Sequence, residues 1–485
     1  MQGNQPQTLL NAKVIGLFTG LIIFVALLLF PISGTLSKEA NKVIAIAVLM
    51  LLWWVTEAIP IAATALLPMI LFPLLNIFSI KEASAPYSSP IVYLFMGGFI
   101  IALAMEKWNL HKRIALAIIQ KTGTHANGII LGFMLATALL SMWISNTATT
   151  VMMLPIAQSV MLLFLQEQKT LSKGQRNFAL ALFLGVAYAA NIGGVATLVG
   201  TPPNLVLTAY FEDTFHQEIS FASWMAIALP FSLVFLGITY VVLVKLMHPN
   251  KLGELTGSSE LVKQEYAKLG RMSGAEKRVA IIFLCTALLW ITRKGLQPYL
   301  SKLGITLSDP VIAMFFALLL FLIPSGTKKE KPLLAWEDTK NIPWGILILF
   351  GGGLSLANGM KETGIIALLG EVISEQQSLD SLTIVSLLLV LVLFMTEVMS
   401  NVALITVLLP VVAGIAQGMG LPPLLVCIPV TMASSCAFML PMATPPNAIV
   451  FASGYIKVSQ MVRTGLLLNV LAILLLLCLY LFGIH

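Results

Sequence analysis

The sequence predicts an all-α polytopic membrane protein of about 11 transmembrane helices plus two re-entrant hairpins. Three observations carry this. Of 485 residues, 58% are hydrophobic and only 10% charged, with a mean hydropathy of +0.94. A soluble domain carries about 25% charged residues, so a soluble enzyme, a nucleic-acid binder and a disordered chain are excluded. Apolar runs approaching the roughly 20 residues that cross a bilayer recur from end to end. Finally, one set of polar interruptions occurs twice, in the same order.

Apolar runs bounded by Pro, Gly and charge predict spans near 14–32, 42–58, 60–76, 89–105, 177–192, 223–246, 277–292, 309–323, 342–358, 422–440 and 460–483. The first lacks a small-residue cleavage site and leads into Pro31, so it reads as a retained helix and not a signal peptide. Two further stretches, 128–165 and 381–418, are cut at their middle by Ser145-Asn146-Thr147 and Ser400-Asn401-Val402. Each reads as a hairpin that enters and leaves on one side. The polar stretch 247–276 is too short for a domain and reads as a connector. Cys285, Cys427, Cys436 and Cys478 stand in separate apolar stretches without metal-ligand spacing, and read as small membrane hydrophobes.

The repeat is explicit. Leu94-Phe95-Met96-Gly97-Gly98 recurs as Leu349-Phe350-Gly351-Gly352-Gly353, 255 residues later. The same offset carries Ser145-Asn146 onto Ser400-Asn401, Pro155 onto Pro410 and Ser141 onto Thr396. Each copy is followed by a Pro-Pro-Asn break, Gly200-Thr201-Pro202-Pro203-Asn204 and Ala443-Thr444-Pro445-Pro446-Asn447, where the offset has fallen to 243. Paired interrupted helices in corresponding halves point to the midplane site of a secondary transporter. The glycine pairs are explained by close helix packing and need no ligand.

With a cytoplasmic N-terminus, eleven spans and two hairpins, 21 of the 28 Lys and Arg residues fall on the cytoplasmic side, as the positive-inside rule expects. That count places the first hairpin on the cytoplasmic side, the second outside, and the C-terminus outside, so the repeats are inverted. Arg293-Lys294 is the discordant pair, since it falls outside.

The breaks carry the chemistry. A helix restarting at membrane depth presents unpaired N–H groups and the positive end of its dipole, which suit an anion. Carbonyls freed on the other side of the break suit a small cation. Ser141 and Ser145, like Thr396 and Ser400, are four residues apart and share a helix face. Hydroxyl, amide and carbonyl oxygens form a hard shell fit for Na⁺ rather than a soft metal. Neither broken region holds Lys or Arg, so a bound anion must be offset by co-bound cations and helix dipoles. Glu57 and Glu397 are acidic groups in apolar surroundings, which marks functional candidates. A carboxylate hydrogen-bonded near a helix end explains either one equally well. A phosphate-binding loop and an H-E-x-x-H pair are both absent, so neither ATP-driven transport by this chain nor intramembrane proteolysis is supported, and no enzyme is expected.

With these motifs the chain resembles the divalent anion/sodium symporter family, and within it the bacterial Indy-type sodium–dicarboxylate cotransporters. The strings Ser141-Met142-Trp143-Ile144-Ser145-Asn146-Thr147-Ala148-Thr149, Ile192 to Asn204 and Ser434 to Gly454 carry the likeness. It implies an elevator-type transporter: scaffold helices in 1–88 and 277–341, a first repeat in 89–246, a cytoplasmic connector in 247–276 and a second repeat in 342–485. It also implies a homodimer in the bacterial inner membrane that takes up C4 dicarboxylates such as succinate, malate or fumarate with Na⁺. By position, one Na⁺ would use Ser141, Ser145, Asn146 and the backbone at Gly200. A second would use Thr396, Asn401 and the backbone at Ala443 and Pro445. Substrate carboxylates would meet Asn146, Thr147, Ser400, Asn401, Thr444 and Pro445, with Val402 beside them. The bacterial pattern has Thr at position 402, so Val402 removes one hydroxyl donor. The alternative is a Na⁺-independent dicarboxylate or citrate exchanger of the same architecture.

Overall fold

The computed structural model describes residues 7–30, 36–167, 172–255, 258–326, 331–374 and 380–482. These form helices, and among them β-structure is confined to two isolated bridges. Among the described residues seven helical segments are long and apolar enough to cross a bilayer: Lys38–Thr56, Ile80–Lys107, Lys173–Val195, Phe221–Met247, Gly274–Leu303, Asn401–Gly418 and Val458–Phe482. Several carry an exposed apolar stripe at helical spacing, such as Ile281, Leu284 and Leu288, or Leu466, Val470 and Leu474. Such a stripe faces lipid without penalty.

The Lys173–Val195 helix has no exposed apolar stripe, and its span window is entirely buried. Its Ala179, Ala181, Gly185, Ala187, Ala189, Ala190, Gly193 and Gly194 leave room for neighbouring backbones, the usual device where no hydrophobic force draws helices together in lipid. The glycine pairs act in the same way. A Cβ on Gly97 would lie 2.7 Å from the Ala313 backbone, and one on Gly352 would lie 2.0 Å from the Ala65 carbonyl oxygen.

The repeat is visible in the packing. Lys173–Val195 packs on Ala126–Ser141, Asn146–Glu167 and Phe221–Val241, just as Pro423–Ser434 packs on Ser381–Met395, Asn401–Gly418 and Val458–Phe482. The short helices after the breaks cross over. Pro445–Phe451 packs on Asn146–Glu167, and Pro202–Phe215 packs on Asn401–Gly418. Each half therefore completes the other.

Two expected spans are not single helices. The 422–440 run stops at Ser434, runs without helix to Thr444, and restarts as Pro445–Phe451. The 60–76 run is split into Ile61–Thr64 and Leu67–Leu74. Hydropathy registers composition and is blind to a polar or proline break within an apolar run. The 247–276 stretch contains a helix, Ser258–Lys268, lying against Leu110–Lys121. Lys112 joins them by pairing with Glu265 at 3.4 Å, and just beyond the Ser258–Lys268 helix Arg113 pairs with Glu276 and donates to the Gly270 carbonyl at 3.1 Å. Residues 168–171, 375–379 and residues 256–257 of the connector lie outside the described residues.

Candidate functional site: two paired helix breaks

At the first break the Ala126–Ser141 helix ends and Asn146 begins the next one. The restart is capped by Ser145, whose Oγ accepts from the Ala148 N–H at 3.2 Å, satisfying a donor that a helix start leaves orphaned. Facing it, Lys173–Val195 ends and the chain turns through 196–201 to restart at Pro202. Three side chains hold that turn. Asn204 Nδ2 donates to the carbonyls of Gly194 (3.3 Å), Val195 (3.1 Å) and Thr197 (2.7 Å). Trp224 Nε1 donates to Val195 O at 2.9 Å. Thr197 Oγ1 donates across to the Met142 carbonyl and accepts from the Gly200 N–H at 3.1 Å.

The glycines let these backbones converge. A Cβ on Gly194 would lie 2.6 Å from Asn146 Oδ1, and one on Gly200 would lie 2.5 Å from Gly194 O and 2.9 Å from Ser141 O. Ser141, Asn146 and Gly200 are thus brought together, with Ser145 beside them as the cap. Ser141 Oγ and Asn146 Oδ1 are buried without a hydrogen-bond partner, as is Thr149 Oγ1 on the restarted helix. Buried oxygens are seldom left so, and hydroxyl and amide oxygens are hard donors of the kind that suit a small cation. Thr147 is exposed at the start of the restarted helix.

The second break repeats the plan with different bonds. Ser381–Met395 ends and Asn401 restarts, with Ser400 at the cap position but making no capping bond. Thr396 Oγ1 lies 2.7 Å from Asn401 Oδ1 and 2.6 Å from the Ser434 carbonyl. One hydroxyl proton thus serves two acceptors. The facing turn runs from 435 to 444. Asn447 Nδ2 donates to the carbonyls of Ala437 and Leu440, both at 3.1 Å, as Asn204 does in the first copy. Thr444 Oγ1 accepts from the Asn447 N–H at 3.4 Å. Ala443 is buried and Pro445 is exposed at the first position of its helix. Val402 is half-buried against apolar neighbours.

The two acidic candidates separate. Glu397 is 3% exposed and braces the second turn. Its Oε1 accepts from the N–H groups of Phe438 (2.8 Å) and Met439 (2.9 Å), and its Oε2 from Leu440 (3.1 Å). Asn469 Nδ2 donates to Oε1 at 2.8 Å. Glu57 is exposed at the left-handed C-cap of Lys38–Thr56 and 3.6 Å from the Lys13 ammonium, which removes it from the buried site. Sequence reasoning missed the members that reach across the chain: Asn191, which donates to Thr444 Oγ1 at 3.1 Å, and Tyr188, whose hydroxyl donates to Phe438 O at 2.8 Å. Asn204 and Asn447 were signalled by the repeated Pro-Pro-Asn.

Paired helix breaks lined with convergent oxygens, inside a bundle of lipid-facing helices, define a polytopic membrane transporter. The chain belongs to the sodium:sulfate symporter family, the divalent anion/sodium symporters: the model of that transmembrane region matches residues 11–484. It is 42% identical to the sodium-dependent dicarboxylate transporter SdcS of Staphylococcus saprophyticus, covering 95% of this chain and 89% of that protein. It is 44% identical to SdcS of a bovine Staphylococcus aureus strain, over 96% and 91%. Among solved structures it is similar to the YdaH transporter of Alcanivorax borkumensis (TM-score 0.59, 14% identity, 92% of this chain and 99% of that one). The Neisseria gonorrhoeae MtrF structure is similar at TM-score 0.57 and 15% identity, over 92% and 95%. At such identities these two speak for the fold alone.

Proposed function

We propose that the chain is a secondary transporter that couples inward Na⁺ movement to uptake of C4 dicarboxylates, succinate, malate or fumarate, across the bacterial inner membrane. The observation that carries this is the set of buried, unpartnered oxygens Ser141 Oγ, Asn146 Oδ1 and Thr149 Oγ1 beside converging carbonyls. Such a shell lacks a positive charge, and a Na⁺ supplies it. One Na⁺ is held by Ser141, Ser145, Asn146 and the Gly200 backbone, and a second by Thr396, Asn401 and the backbone at Ala443 and Pro445. The substrate carboxylates lie between the restarts, against Asn146 and Thr147 on one side and Ser400, Asn401, Thr444 and Pro445 on the other, with Val402 alongside. Among the described residues no hydrogen bond at either break involves Lys or Arg, so the dianion depends on the cations and on N–H groups at helix starts.

The same reading has two inverted repeats with re-entrant hairpins, 128–165 cytoplasmic and 381–418 extracytoplasmic, and about 11 spans. The two breaks travel together as an elevator, moving against helices of 1–88 and 277–341 that a homodimer holds still. The N-terminus is cytoplasmic. Arg293, discordant in the charge count, is paired with Asp309 and Glu218 and so does not oppose this orientation. That the SdcS relatives are sodium-dependent dicarboxylate transporters agrees with the chemistry of the breaks.

The test is [¹⁴C]succinate uptake into proteoliposomes under an imposed Na⁺, K⁺ or H⁺ gradient. Uptake should require Na⁺ and carry net charge. Equal accumulation in choline medium, with no inside-negative potential, would overturn the coupling and favour an exchanger.

A further inference from the structure

Away from the breaks, a second buried polar cluster lies where the first repeat meets the helices Gly274–Leu300 and Asp309–Leu322. Arg293 and Asp309 are 6% and 4% exposed, with Nε 2.7 Å from Oδ1. Arg293 also pairs with Glu218 and donates to the Leu307 carbonyl at 3.2 Å. Asp309 Oδ2 accepts from the Phe221 N–H at 2.8 Å, and Trp290 Nε1 donates to Asp309 O at 3.0 Å. Lys294 Nζ donates to Ser223 Oγ at 2.9 Å. Sorted by element, Trp290, Arg293 and Asp309 belong to one helix pair, with Leu307 in the link between them. Phe221 and Ser223 belong to the start of Phe221–Val241, and Glu218 to the segment leading into it.

Aromatic rings extend the contact to the site. Phe221 stacks on Trp290 at 4.6 Å and on Trp143 at 5.8 Å, and Trp143 meets Phe283 edge-on at 5.0 Å. Trp143 belongs to the first break. A continuous contact therefore runs from the break to the 274–300 helix.

The geometry points to a conformational latch: Arg293 and Asp309 form the fixed half, while Glu218 and the start of Phe221–Val241 form the half that lets go. The proposal rests on the reading that the first repeat moves against helices 277–341. Its division of charge suits release. Glu218 is 51% exposed and can rehydrate, while Arg293 keeps Asp309, so parting strands no charge in an apolar setting. A permanent joint would gain little from ions over well-packed apolar groups. The Phe221–Trp290 and Trp143–Phe283 contacts part in the same step, while the Phe221–Trp143 stack travels with the moving half, freeing Trp143 and with it the turn that leads into Ser145.

Oxidative cross-linking decides the matter. Ser223→Cys/Lys294→Cys, in a background with Cys285, Cys427, Cys436 and Cys478 replaced, is oxidised with copper phenanthroline in proteoliposomes. Cross-linked protein should stop taking up succinate and recover in reductant. The extent of cross-linking should differ with and without Na⁺ plus succinate, and Glu218→Gln should slow it about two- to five-fold. Unchanged uptake after full cross-linking would make the contact a fixed joint and overturn the latch, as would a cross-linking rate indifferent to ligands and to Glu218→Gln. Absence of Na⁺-driven uptake before oxidation would instead count against the transport reading, and the ligand-dependence of cross-linking would still judge the latch.

Discussion

At the first break the Ser141 hydroxyl and the Asn146 carboxamide oxygen are buried without partners, whereas at the second the Thr396 hydroxyl already bridges Asn401 Oδ1 and the Ser434 carbonyl. The bracing differs too. Neutral groups, Asn204, Thr197 and Trp224, hold the first turn, while the Glu397 carboxylate holds the second. One motif, duplicated, has thus been satisfied in two ways. On the proposed reading, a cation entering the first shell would break no bond made by Ser141 Oγ or Asn146 Oδ1. One entering the second would have to turn the Thr396 hydroxyl, giving up a bond worth about 0.5–1.5 kcal/mol.

The comparison can be broken most directly at the two asparagines. Asn146→Ala and Asn401→Ala should each abolish Na⁺-dependent succinate uptake while leaving a folded protein by size-exclusion chromatography. If one variant kept more than half of wild-type uptake, that asparagine would be only part of a helix start, and the equivalence of the breaks would fail.

The next largest effect is on stability. Glu397→Gln replaces an acceptor of three successive N–H groups with a side chain that has one acceptor oxygen and a competing donor. Hydrogen bonds to charged groups are worth about 1.5–3 kcal/mol each, so a loss of about 3 kcal/mol is expected. Thr197→Val, which removes the neutral counterpart, should cost about 1–2 kcal/mol by the same principle. Thermal unfolding in detergent compares them. Equal losses would remove the distinction between charged and neutral bracing.

Gly194→Ala sharpens the picture at the first shell. The added methyl would lie 2.6 Å from Asn146 Oδ1, and overpacking of that kind costs about 1–3 kcal/mol. The Na⁺ concentration for half-maximal uptake should rise about ten-fold, with less change in succinate KM. The smallest effect is expected at Val402→Thr. A restored hydroxyl donor, partly cancelled by a displaced water, should lower the succinate KM about three- to ten-fold, and the KM for citrate less. An unchanged succinate KM would turn residue 402 away from the substrate.

Much of this was legible in the sequence because the breaks are local events. Ser-Asn pairs and Pro-Pro-Asn triplets stop and restart helices by capping and proline chemistry, and the helices do restart at Asn146, Pro202, Asn401 and Pro445. Hydropathy failed where an apolar run conceals a break, as in 422–440, since Ser434 and Ser435 barely lower its mean. The roles of Glu397, Asn191 and Tyr188 were illegible for another reason. Their partners lie 41, 253 and 250 residues away, and no spacing rule reaches that far. Glu397 was singled out as a buried acid, but only its partners show that it braces a turn.

The bonds from Tyr188 and Asn191 to Phe438 and Thr444 have a thermodynamic consequence. Both donors sit on the helix that ends at the first break, and both acceptors lie on the turn of the second. Were that helix to shift on occupation of one proposed shell, the wall of the other would be displaced with it. Affinities linked in this way obey reciprocity: whatever factor the first ion adds to the binding of the second, the second returns to the first. Sodium dependence should therefore be sigmoidal. Cutting Asn191 out of the shared wall should flatten the curve toward two independent sites, even though this side chain would touch neither ion.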